Sequence, residues 1–136
     1  MTAIASRLSE STDSLLRFAM RADALITGVL GVMNVALAGW IAEISGTTPA
    51  MEYAMGAFFI AYGVVVFGLA ALRSVRVPGI VVAIGNLVYT VGSLVVVFAD
   101  VWPLTATGDV LTLAAGGYTM VFAELQYQGM RRIKCH

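Results

Sequence analysis

Residues 77–101 read VPGIVVAIGNLVYTVGSLVVVFADV, a run whose first charged side chain is Asp100, one residue from its end. A half-buried strand alternates apolar with polar residues, and an amphipathic helix keeps a polar face; this run does neither. It has the length and uniform apolarity of a helix in lipid, where about 20 residues cross a hydrocarbon layer of ~30 Å. The β-branched stretch Val95-Val96-Val97 does not argue for a barrel. A membrane strand takes only about 10 residues in strict alternation.

Working outward, three more apolar runs of comparable length occupy 24–44, 53–72 and 110–130. Of the 136 residues, 60% are hydrophobic and 12% charged, and the mean hydropathy is +0.89. That charged share is about half of what soluble domains carry. The connections between runs are short and punctuated. Thr48 is placed to cap the second helix, with Pro49 at its first position; Pro78 sits near the start of the third; Thr107 and Asp109 suit the start of the fourth. Short connections join antiparallel neighbours. The expected fold is therefore all-α: a four-helix transmembrane bundle, up-down-up-down. Residues 1–13 form a polar N-terminal segment, 14–131 the membrane domain and 132–136 a basic tail. The first helix is expected from Ser14, with Arg17 and Arg21 on one face. Because Met1 to Asp13 lacks the short apolar core of a secretory signal, the first run is expected to remain as an anchor.

Charge sets the orientation. Arg7, Arg17 and Arg21 precede the first run, Arg73 and Arg76 lie between the second and third, and Arg131, Arg132 and Lys134 follow the fourth. The other two loops hold Glu43, Glu52, Asp100 and Asp109, with no basic residue. Lysine and arginine are retained on the cytoplasmic side, so both termini are expected there. Trp40 and Trp102 suit the opposite headgroup layer, and Tyr127 the inner one. The expected location is a bacterial plasma (inner) membrane, crossed several times, with membrane lipids as immediate partners.

Small residues recur at helical spacing: Ala24 and Gly28, Gly31 and Ala38, Gly56 and Gly63, Gly85 and Gly92. In lipid such rows let backbones approach, so they read as packing seams, or as grooves for a lipophile. Polar groups within the runs need partners. Asn34 and Asn86 read as interhelical glue, while Tyr62 and Tyr89 suit the lining of a cavity, since their hydroxyls need partners in apolar surroundings. With the first and last spans adjacent, Glu124 is expected to meet Arg21 near the inner leaflet, with Asp23, Arg17, Asn86 or Gln128 in support. The candidate binding residues are thus Arg21, Asp23, Asn34, Tyr62, Asn86, Tyr89 and Glu124.

Several functions are disfavoured. Eight basic and eight acidic residues cancel, which gives no reason to expect a nucleic-acid partner. The single cysteine, Cys135, permits no intrachain disulfide, and the single histidine, His136, is terminal. Haem ligation by a histidine pair, a metal site in the membrane and a histidine-activated nucleophile are accordingly not expected, and no glycine-rich phosphate loop is present. No catalytic residue, metal or cofactor is assigned.

Three motifs carry a family likeness: Arg21-Ala22-Asp23-Ala24 with Gly28 and Gly31; Gly56-Ala57-Phe58 through Tyr62-Gly63; and Phe122-Ala123-Glu124-Leu125-Gln126 with Arg131-Arg132. With them the chain resembles small four-helix membrane proteins of bacteria, of actinobacterial type and the DoxX-like group. The resemblance implies architecture and an inner-membrane location, and it transfers no catalytic residue. The expected role is a non-enzymatic accessory or interaction subunit, in a homo-oligomer or a larger membrane complex. The alternative is a binder or transporter of a lipophilic small molecule or lipid, using the bundle interior.

Overall fold

A computed structural model of the chain describes the backbone of residues 2–133 and the side chains from Asp13 to Ile133. Expectations attached to Arg7, Lys134, Cys135 and His136 lie outside the described side chains. The described residues form five helices and no strand: α1 Thr2–Ala36, α2 Ala38–Ser45, α3 Pro49–Leu69, α4 Arg76–Phe98 and α5 Ala106–Arg131. Helix α1 starts well before Ser14, because no glycine or proline interrupts the chain until Gly28.

Helices α3 and α4 are each long and apolar enough to cross a membrane. The first apolar run is not the single straight helix expected: the chain leaves helical geometry at Leu37, and α2 is bent away from α1 by 89°. Taken as one span, this bent pair is a third candidate. Helix α5 covers the fourth run but, with Thr112, Thr119, Glu124, Gln126 and Gln128 along it, does not reach the same apolarity.

Gly39, two residues beyond Leu37, weakens the helix locally, but a single glycine does not set the direction of the bend. What holds α2 lies at its far end. Ser45 O accepts from Thr105 N at 3.0 Å, and Thr105 Oγ1 donates to Ile44 O at 2.5 Å. Gly46, at φ +79°, closes α2 in the left-handed conformation, and a Cβ there would stand 2.7 Å from Pro103 O. The bend thus lays α2 against the entry to α5. Thr48 caps α3 as expected, accepting from Met51 N, with Pro49 in the first turn. At α5 the cap is Thr105, accepting from Gly108 N, and not Thr107; Asp109 does occupy the first turn.

α1 packs mainly on α3 and α4 mainly on α5, while α1 against α5 joins the two pairs; α3 and α4 meet through side chains, Tyr62 Oη donating to Asn86 Oδ1 at 3.3 Å and Phe59 lying beside Tyr89. The α1–α3 seam is the one the small residues foretell. A Cβ on Gly31 would stand 2.7 Å from Gly56 O, one on Gly56 equally close to Gly31 O, and one on Gly63 the same distance from Ala24 O. Gly116 admits Ser93 of α4, and Gly129 admits the backbone of Leu16. Gly85 and Gly92, expected to form a comparable seam, face open space.

An apolar cluster of Leu16, Met20, Val66, Val75 and Val82 is buried, yet much of the outer surface is apolar as well. Buried positions of α3 and α4 include Glu52, Gly56, Gly63, Gly79, Asn86 and Ser93, whereas Val64, Val88 and Phe98 are 70%, 64% and 75% exposed. Large apolar side chains outward and small or polar ones inward is the arrangement that lipid as solvent favours.

Candidate functional site

Asp23 lies on α1, and none of its surface is exposed. Its carboxylate receives hydrogen bonds from every other long helix of the bundle. Oδ2 accepts from Tyr62 Oη of α3 at 2.6 Å, from Asn86 Nδ2 of α4 at 3.0 Å and from Gln126 Nε2 of α5 at 3.1 Å. Oδ1 accepts from Tyr118 Oη of α5 at 2.9 Å and from Thr27 Oγ1, one turn along α1, at 3.1 Å. Asn86 Nδ2 also donates to Gln126 Oε1 at 2.9 Å, which fixes the orientation of both amides. Five donors satisfy the lone pairs of one carboxylate. All five are neutral, and no described cation bonds to the carboxyl group.

The cage is local sequence made useful by packing. Asp23 and Thr27 are four apart on α1, and Tyr118, Phe122 and Gln126 are spaced by four on α5, so each set shares a helix face. Thr90 extends the α4–α5 contact, 2.7 Å from Thr119 Oγ1 and donating to Gly116 O at 3.1 Å.

Beside the cage is a cavity of about 190 Å³, with walls from all four long helices. Thr27, Tyr62, Asn86 and Tyr118 belong to both: their polar ends turn to Asp23 while other parts of them line the space. Phe58, Phe59 and Tyr89 complete the aromatic wall, with the Phe59 and Tyr89 rings 6.0 Å apart where α3 faces α4. The edge includes Leu30, Phe58 and Gly85, all exposed on the outside of the bundle.

Among the expected site residues, Asp23, Tyr62 and Asn86 thus come together, and Tyr89 lines the cavity as foreseen. Asn34 stands elsewhere, donating to Glu52 Oε2 at 2.7 Å, while Thr47 donates to Oε1 at 2.7 Å. Glu52, buried like Asp13 and Asp23, was expected only as a loop charge. The expected Glu124 cluster does not form. Glu124 is exposed and accepts from Gln128 Nε2 at 3.0 Å, and Arg21 is exposed on α1 without an ion pair to it. Arg17 is engaged differently: it bonds Asp13 at 3.0 Å and donates to Ala70 O, Leu72 O and Arg73 O, closing the carbonyl end of α3. Gln126, Tyr118 and Thr27 escaped the sequence reading; their spacing by four from Phe122 and Asp23 was the available signal.

Fold and site define a helical membrane protein with a caged carboxylate beside an aromatic cavity. The chain matches no protein-family profile, no curated protein and no solved structure.

Proposed function

We propose that the chain binds a small lipophilic molecule inside its bundle, as a four-span protein of the bacterial plasma membrane with both termini cytoplasmic. The spans are α1 with α2, α3, α4 and α5, and the DoxX-like group is the family it resembles. The cavity of about 190 Å³ carries this reading. Apolar cavities of about 150 Å³ take up benzene-sized guests and stay free of water. An aromatic lining drawn from three helices, open toward the outside at Leu30, Phe58 and Gly85, suits a guest that arrives from the lipid.

Orientation has its own support. Arg17 bonded to the end of α3 and Gly129 packed on Leu16 bring the Leu16–Arg17 stretch of α1 and the ends of α3 and α5 to one pole, the pole of Arg21, Arg73, Arg131 and Arg132. Glu43, Asp100 and Asp109 gather at the other, where α2 meets Thr105.

No enzymatic step is included. The role of accessory subunit, in a homo-oligomer or larger complex with lipid around it, is a second reading. It is favoured by the open faces of Gly92 and Gly117, which no part of the chain fills.

The test uses Gly85, which lines the cavity and where a Cβ meets nothing within 4 Å. Gly85→Leu is expected to fold and to fill the space. Wild type should bind an alkylbenzene, read by equilibrium dialysis in nanodiscs against empty discs, and Gly85→Leu should lose that binding at least tenfold. Equal uptake by both proteins would refute an interior site.

A further inference from the structure

We infer that the guest of the cavity is an organic cation, a tertiary or quaternary ammonium carrying an apolar group, held between the aromatic wall and the charge of Asp23. This rests on the interior-binding reading above and specifies its ligand.

Five neutral donors satisfy the oxygens of Asp23 and bring no positive charge, and an ionised carboxylate in a low-dielectric interior gains from a cation nearby. A counter-ion cannot reach the carboxylate directly, because its lone pairs are occupied and the residue has no exposed surface. It can stand one side chain away. Thr27, Tyr62, Asn86 and Tyr118 form the partition: each touches Asp23 on one side and the cavity on the other.

The walls select among cations. A metal ion needs several free oxygen ligands, whereas the polar ends of Thr27, Tyr62, Asn86 and Tyr118 are engaged by Asp23 and that of Thr119 by Thr90 and Gly116. A bare ammonium with three donors would find few acceptors. A tertiary or quaternary ammonium needs fewer or none: it is weakly hydrated, its surface is alkyl, and aromatic faces attract it. Phe58, Phe59, Tyr62, Tyr89 and Tyr118 supply rings from three helices. An anion meets the opposite field and is excluded by it.

Two probes of one shape separate this inference from the reading beneath it. Benzyltrimethylammonium and neopentylbenzene differ by a nitrogen cation in place of a carbon, and both are compact enough for the cavity. Binding is measured by equilibrium dialysis to wild type in nanodiscs of neutral lipid, with empty discs subtracted. The cation is expected to bind at least tenfold more tightly than its neutral isostere, and Asp23→Asn to remove that preference while retaining the isostere. Phe59→Leu, which leaves the cage intact, should weaken the cation more than the isostere. If the isostere binds as well as or better than the cation, the inference is overturned while interior binding stands. If neither binds, both fall. The wild-type comparison decides the matter whether or not Asp23→Asn folds.

Discussion

Asp23 and Glu124 are both carboxylates within apolar helices, and their fates are opposite. Asp23 is fully enclosed and takes five hydrogen bonds; Glu124 is exposed and bonds only its neighbour one turn away. Replacing Asp23 by Ala removes the acceptor and leaves buried donors on four helices without a partner. At roughly 1–3 kcal/mol per unsatisfied buried group, and with some donors finding one another, the loss should be about 3 kcal/mol or more. Glu124→Gln should change stability by less than about 0.5 kcal/mol, as surface substitutions do. Reversible unfolding in mixed micelles checks both, and a Glu124→Gln protein as unstable as Asp23→Ala would refute this division of roles. The difference was not legible from either residue alone. Two positions along a helix turn a side chain by about 200°, so choosing Glu124 in place of Gln126 selected the wrong face.

Among elements, the α1–α3 seam was the most legible. Gly31, Gly56 and Gly63 allow backbone to meet backbone, and nothing but a hydrogen fits at those points. Gly63→Leu, 2.7 Å from Ala24 O at its Cβ, should cost about 1–3 kcal/mol by forcing α1 from α3, whereas Gly92→Leu should be neutral for the isolated chain. Thermal unfolding of the two variants side by side tests this. If Gly92→Leu leaves stability intact but abolishes copurification of a second subunit, the accessory-subunit reading gains its interface. Helix α2 shows the limit of element-level reading. Gly39 beside Leu37 does not by itself announce a break of 89°; α2 is held where Ser45 and Ile44 meet Thr105, some sixty residues away in the chain.

At the scale of the whole molecule, the proposed orientation predicts labelling. Single cysteines, introduced at Thr47 and Leu104 in a chain with Cys135→Ser, should react with an impermeant maleimide added to intact cells. One at Ser74 should react only after lysis. The reverse pattern would invert the bundle and with it the positive-inside argument. The same geometry explains why the site lies where it does. Asp23 is six residues beyond Arg17, so the cage sits about 9 Å inward from the basic pole. The cavity then runs from there toward the middle of the helices, with Leu30, Phe58 and Gly85 at its exposed edge.

Helicity and lipid as the surrounding medium were both decided by the sequence alone. Hydropathy and the placing of arginine are properties of segments, and each run of residues carries them whatever its neighbours do. Which carboxylate would be enclosed, where the first run would bend and that a cavity would open beside Tyr62 were decided only by tertiary packing. Those outcomes depend on the rotation of each helix about its axis and on which pairs approach, and both are fixed by contacts between residues far apart in the chain.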